Sequence, residues 1–310
     1  AYNAENLLAS LPARTSIAYT GPADAVKPTL HILAIGINRY VDQGARDAET
    51  GHVAQFEPLD LAVKDAKAIT ESLKKAVGNR YETVNVKLAL DEEATRENLD
   101  AIVAGMAVDV HRRDTFVLFA AGHGYSSDGK FYLIPQDYSG GPEKAALEAR
   151  AIGQERLQDW LANRIKAKRA VILLDTCESG ALIAGHLRAR AETAASEAGV
   201  GRLHEATGRS VLAAAALGQF AQEGLIASSG AQHGLFTYAL LEALRDGDSN
   251  ANGAIELSEL VAHVQTRVPQ LAADKGGTGR TIASSSVTDP GQQSARFGSR
   301  GEDFILVDRL

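Results

Sequence analysis

Thr115-Phe-Val-Leu-Phe-Ala-Ala-Gly-His-Gly124 is a short apolar run that ends in a glycine-flanked histidine. Its length, its Phe and Val content and the glycines that bound it predict a strand over Thr115–Ala121, buried on both faces. Arg169-Ala-Val-Ile-Leu-Leu-Asp175 has the same form and leads into Thr176-Cys-Glu-Ser-Gly180. Two such strands, far apart in the chain, imply a mostly parallel sheet with helices over it.

The segments on either side fit that frame. His31–Ile37 reads as a buried strand, and Thr83–Leu90 as a second, with Val84, Val86 and Leu88 in alternation. Helical periodicity covers Leu61–Leu73, ending near Gly78, and Ala94–Val110, with Leu99, Ile102, Val103 and Met106 facing inward. Phe131–Ile134 reads as a short strand after the Asp128-Gly129 turn pair. A helix is expected over Ile152–Ile165, a fifth long strand over Ser210–Ala216 and a helix over Leu235–Leu244. Leu257–Val268 reads as a helix stopped by Pro269, Ser284–Gly301 as a loop, and Asp303–Val307 as a closing strand. Strands alternating with helices give an α/β fold. Residues 1–28 are polar, carry Pro12, Pro22 and Pro28, and read as a leader or linker before a domain over 29–310. Residues 185–209, rich in Ala, Glu, Arg and Gly, read as an exposed, mobile linker.

Composition narrows the function. Of the 310 residues, 45% are hydrophobic, enough for a sizeable core, and the net charge of −7 argues against a nucleic-acid surface. No apolar run approaches the ~20 residues of a membrane span, and Ala1–Pro12 lacks the basic and apolar regions of a signal peptide. The single cysteine precludes an internal disulfide or a thiolate zinc cluster, and fits either a reducing, cytoplasmic setting or a protein indifferent to redox state. The first residue is Ala, which leaves open a processed product or a piece of a longer protein.

In open α/β sheets, sites form at the carboxyl ends of strands, so the Gly122-His123-Gly124 and Cys177 turns are expected to open onto one crevice. A thiol attacks as thiolate, and a nearby imidazole both promotes that form and protonates the leaving amine. The amides of Gly124 and Cys177 are candidate donors to an oxyanion. Alone, His123 reads as an ordinary loop histidine and Cys177 as a small buried hydrophobe. Their positions at matching strand ends favour a catalytic pair.

These residues resemble those of the caspase and metacaspase family. His123 precedes Cys177 by 54 residues, close to the caspase spacing. Asp175-x-Cys177-x-Ser179-Gly180 looks like the metacaspase nucleophile turn, and the likeness extends through Gln219 and His233-Gly-Leu-Phe-Thr-Tyr-Ala-Leu-Leu241. It is nearest to bacterial caspase-like domains. Glu178 departs from the pattern, where His is usual, and the acidic site of calcium-activated metacaspases is not evident. The resemblance implies a three-layer caspase-hemoglobinase fold, with a mostly parallel six-stranded sheet and helices on both faces. It also implies peptide-bond hydrolysis through a thioester, with no cofactor required, a protein or peptide substrate, and a regulatory domain or partner subunit alongside. A backbone carbonyl often orients the histidine in this family.

In such relatives the residue two before the nucleophile lines the S1 pocket. Asp175 would then favour a cationic P1 side chain, although a turn-forming Asp is the alternative. Asp65 matches a second acidic pocket position, with a helix-surface carboxylate as its alternative, and Glu223 is a further candidate for the pocket's border. Cleavage after Arg or Lys follows. It makes Arg188, Arg190, Arg202 and Arg209 candidate self-processing sites, where caspase relatives divide into large and small subunits. The segment from Asp248 to Glu259 fits the calcium-loop pattern, with Asp248, Asn250, Asn252, Ala254 and Glu259 at ligand positions. The two Asn lower its charge, and a plain helix connector is the other reading. The rival function for the whole chain is a catalytically inactive interaction or regulatory module. An esterase would need G-x-S-x-G, which Thr176-Cys-Glu-Ser-Gly180 does not supply.

Overall fold

The computed structural model describes residues 26–41, 56, 58–127, 130–140, 144–178, 203–214, 223–225, 230–274, 293–299 and 303–310. The leader up to residue 25 and most of the expected linker, 185–202, lie outside them.

Five strands form the parallel heart of the sheet: β1 (Thr29–Gly36), β2 (Thr83–Leu90), β3 (Thr115–Ser127), β6 (Arg169–Glu178) and β7 (Ser210–Ala213). The path runs β11-β7-β6-β3-β1-β2, with β11 (Arg296–Gly298) antiparallel on one edge. This is the expected six-stranded, mostly parallel sheet. Two further strands, β4 (Lys130–Leu133) and β5 (Ile152–Gly153), extend it from β3 to eight strands. Two small antiparallel pairs lie apart from it, β8 (Glu223–Leu225) with β9 (Gln232–Gly234) and β10 (Ala254–Glu256) with β12 (Ile305–Asp308).

Continuous apolar runs are required because both faces are covered. Ile32, Val117, Phe119, Val171 and Leu173 belong to one core, packed by α1 (Ala62–Lys75), α5 (Leu235–Asp246) and α6 (Leu257–Asp274). The alternate residues Leu33, Ile35, Phe116, Leu118, Ile172 and Leu174 belong to the other, under α2 (Arg96–Asp109), α3 (Lys144–Arg150) and α4 (Gln154–Gln158). The result is three layers. Gly36 lets α1 lie close on β1, since a Cβ there would stand 2.6 Å from the Ala62 carbonyl oxygen.

Several sequence expectations need correction. The helix expected over Ile152–Ile165 is divided into β5, α4 and a π-helical turn at Asp159–Arg164. That turn carries Trp160, whose indole N–H donates to Asp100 at 2.5 Å. Pro269 does not stop α6, which runs on to Asp274. Pro removes one helix hydrogen bond, but Val268, Leu271 and Ala272 on its flanks are buried in the first core. The loop expected over Ser284–Gly301 contains β11, whereas the expected closing strand is present as β12 and pairs with β10. The linker expected to be exposed up to residue 209 ends earlier, because 203–207 is helical and buries Leu203 and Thr207. Among the described residues, no helix is long and apolar enough to cross a membrane.

Candidate active site

β3 and β6 stay paired well past the helix-covered part of the sheet. Ala121 lies opposite Asp175, Gly122 opposite Thr176, His123 opposite Cys177 and Gly124 opposite Glu178. Both key residues are therefore inside strands, not in turns after them as expected. The extension of β3 is supported on its other side by β4, with Gly124 opposite Leu133. Adjacent strands are roughly 4.8 Å apart, so the backbones of the only cysteine and of this histidine are immediate neighbours.

The imidazole is held in an aromatic corner. His123 is buried, with its ring centroid 5.0 Å from that of Tyr40 and 5.4 Å from that of Phe56. Its backbone N–H donates to the Tyr40 hydroxyl at 2.7 Å, and its carbonyl accepts from Ile134 N–H at 3.1 Å. Gly122 makes the first bond sterically feasible: a Cβ there would stand 2.7 Å from the Tyr40 hydroxyl oxygen.

Two carboxylates converge near the end of β6. Asp175 Oδ2 accepts from the Thr237 hydroxyl at 2.5 Å and from its N–H at 3.3 Å. Asp65 accepts from His233 Nδ1 at 2.5 Å and from Gly234 N–H at 2.9 Å. Both thus sit at the start of α5, where exposed amides and the helix dipole favour negative charge. Asp65 is 1% exposed, which removes the surface alternative. Burial raises its pKa above the ordinary carboxylate value, and the bonds from His233 and Gly234 pull in the opposite direction. Gly234 is the hinge of this arrangement, because a Cβ there would lie 2.6 Å from Asp175 Oδ2 and 3.1 Å from Asp65 Oδ2. The backbone of Glu223 pairs with Gly234, so this third acidic position borders the same place.

Other candidates are spread more widely. Arg188, Arg190 and Arg202 lie outside the described residues. Arg209 is described and is no mobile cleavage point. Its guanidinium donates to the carbonyls of Leu161, Ile165 and Ala167, whereas a P1 arginine must present that group to a pocket. In the 248–259 loop, Asp248 accepts from Asn252 and Gly253 N–H, Asn250 from Asn252 N–H and Asn252 from Ala254 N–H. Glu259 accepts from Ser249, Asn250 and Glu256 N–H. These oxygens accept from the loop's own amides. No group of three metal-ligating His, Cys, Asp or Glu side chains occurs among the described residues.

Sequence reasoning did not identify Tyr40, Phe56, Gly234 or Thr237 as site residues. Tyr40 lies 83 residues from His123 and carries no local signal. His233, Gly234 and Thr237 fall in the stretch that carried the family resemblance, and their contacts with Asp65 and Asp175 explain its place in the site.

The family model described as the caspase domain matches residues 30–295. The crystal structure of protein GSU0716 from Geobacter sulfurreducens is similar at a TM-score of 0.53 and 16% identity, covering 89% of this chain and 94% of that one. A structure of pro-sf-caspase-1 gives a TM-score of 0.48 and 14% identity, covering 94% and 96%. A search of curated proteins found no match.

Proposed function

The chain belongs to the caspase family, a family of cysteine peptidases, and from that premise we propose that it cleaves protein chains after Arg or Lys through a thioester on Cys177. The observation that carries this reading is the register of His123 against Cys177 on adjacent strands. In the first half-reaction Cys177 gives its thiol proton to His123 and the sulfur attacks the scissile carbonyl, whose oxygen becomes an oxyanion for the Gly124 and Cys177 amides. The C–N bond breaks as His123 protonates the departing amine, leaving the acyl group on sulfur. His123 then takes a proton from water, whose oxygen attacks the thioester, and the peptide acid and thiol are released. Tyr40 and Phe56 support the imidazole throughout, so little reorganisation is needed between its acid and base roles.

P1 preference is assigned to Asp175, with Asp65 and Glu223 beside it. A carboxylate can accept more than two donors, so a guanidinium can join the bonds already made from α5. Self-processing, if it follows the same preference, falls at Arg188, Arg190 or Arg202.

A peptide library incubated with wild type, Cys177→Ala and Asp175→Asn tests the reading. Wild type is expected to cleave after Arg and Lys, and Cys177→Ala to be inactive. Asp175→Asn should lose roughly 10- to 100-fold in kcat/KM on Arg substrates, the range for one hydrogen bond to a charged group. Cleavage by Cys177→Ala would overturn the mechanism, and cleavage after Asp alone would overturn the pocket. N-terminal sequencing of incubated wild type should find new ends after those arginines. Uncut chains beside cleaved peptides would remove self-processing.

A further inference from the structure

The end of the sheet away from His123 and Cys177 carries a second concave feature. The first residues of β6 and β7 open onto a cavity of about 370 Å³ lined by Arg80, Lys168, Arg169, Arg209, Asp303 and Phe304, among others. An adjoining hollow of about 320 Å³ shares Lys168 and Arg209 and adds Arg112 and Lys166. The segments that precede β6 and β3 are joined where Lys168 N–H donates to the Arg112 carbonyl at 3.1 Å. Arg169 and Cys177 lie at opposite ends of β6, eight residues apart, or about 26 Å at the usual strand rise.

The charge at this cavity is poorly balanced. Arg80 is paired with Asp308 at 2.7 Å. Asp303, whose Oδ1 accepts from the N–H groups of Ser258 and Phe304, is the one carboxylate among the described lining residues and offsets a single cation. Arg209 is held by the carbonyls of Leu161, Ile165 and Ala167, which are dipoles and supply no negative charge. Burial lowers its pKa, with no carboxylate acting against that shift. Lys168 and Arg169 are exposed and make no ion pair with a carboxylate among the described residues. Uncompensated cations gathered in a concavity focus positive potential, and here they do so on a chain whose net charge is −7.

We propose that this cavity binds a small anion carrying a chain of phosphates. Guanidinium and ammonium groups match phosphate oxygens in geometry and charge. The volume lies within the range of small-molecule sites, roughly 300–1,000 Å³, which favours a compact ligand over a long polyanion. The half-buried ring of Phe304 on the same wall offers a face for a base to stack on. Two sources share this chemistry, a nucleoside triphosphate and free inorganic polyphosphate.

Calorimetry on the full chain carrying Cys177→Ala, which keeps cleavage out of the readout, tests the site with ATP and with inorganic tripolyphosphate. One-to-one binding of either is expected, weakening as salt is raised. Tighter binding of ATP assigns the source as a nucleotide through Phe304, and equal or tighter binding of tripolyphosphate assigns it as free polyphosphate. Adding Lys168→Ala and Arg169→Ala should weaken binding at least about tenfold, while Lys87→Ala on exposed β2 should leave it unchanged. All variants should share one melting temperature without ligand, because the substituted side chains are exposed. Absence of saturable binding, or binding insensitive to the double substitution, overturns the proposal. Tighter binding of a duplex oligonucleotide through the same residues also overturns it, in favour of a nucleic-acid surface.

Discussion

Gly234 shows how one missing methyl group lets two carboxylates meet at one point. Its hydrogen faces Asp175 and Asp65, and both carboxylates are already tied to the first turn of α5 by Thr237, His233 and its own amide. Alanine there would push a methyl carbon to 2.6 Å from Asp175 Oδ2. Because that carboxylate is buried and bonded, it cannot yield without losing Thr237. Gly234→Ala is therefore expected to lower kcat/KM on Arg substrates by about tenfold or more, the effect of one charged hydrogen bond. Alkylation of Cys177 by a small uncharged reagent should proceed at the wild-type rate. A variant with unchanged Arg kinetics would show that the two carboxylates do not set P1 preference. None of this was visible from the residue types alone. Asp175 and Asp65 could be nominated from family resemblance, but their meeting point depends on a helix start whose Thr237 lies 62 residues further along the chain from Asp175.

At the scale of elements, the most legible feature was the pair of apolar strands. Runs such as Phe116–Ala121 and Ala170–Leu174 have no polar face to offer water, so a helix-covered parallel position was the only suitable one. Where those strands stop was less legible. Gly122, His123 and Gly124 have the composition of a turn, yet β4 and β6 flank them and carry the ladder to Ser127. The short edge strand β11 was missed because Arg296-Phe-Gly298 has no period, and its pairing with β7 supplies the order. Another element-level feature lies at the opposite end of β1. His31 is 2% exposed, with Nε2 3.4 Å from Asp114 Oδ2, a long contact. Burial lowers its pKa below the usual value of about 6.5, against the pull of Asp114. The unfolded chain then binds a proton at a higher pH than the folded one, so stability falls as pH drops below about 6.5 toward the folded pKa. Thermal melts between about pH 7 and pH 5 should show that loss. His31→Leu should show less of it, with His263, half-buried and also lowered, retaining its share. An acid profile identical in wild type and variant would exclude His31 as a contributor.

At the scale of the whole molecule, one strand connects two chemically distinct ends. β6 begins at a cluster of cations and ends at the only cysteine. The three-layer architecture was legible because strand and helix patterns alternate along most of the chain. The cationic end was not, because its charges come from separate segments around Arg80, Arg112, Lys168 and Arg209, while the net charge of the chain is negative. Pairing of distant segments is a property of the fold, and composition averages it away. The same holds for the candidate site, where spacing along the chain suggested a pair and sheet register brings the two backbones together.

The single cysteine allows an unambiguous test of that pair. The protein is treated with a peptidyl-arginine chloromethyl ketone and the adduct is mapped by mass spectrometry. One adduct on Cys177 is expected in wild type, slowed at least about a hundredfold in His123→Ala, within the range for general acid–base groups. Cys177 reacting equally fast without the imidazole, or not at all in wild type, would contradict a working Cys177–His123 pair.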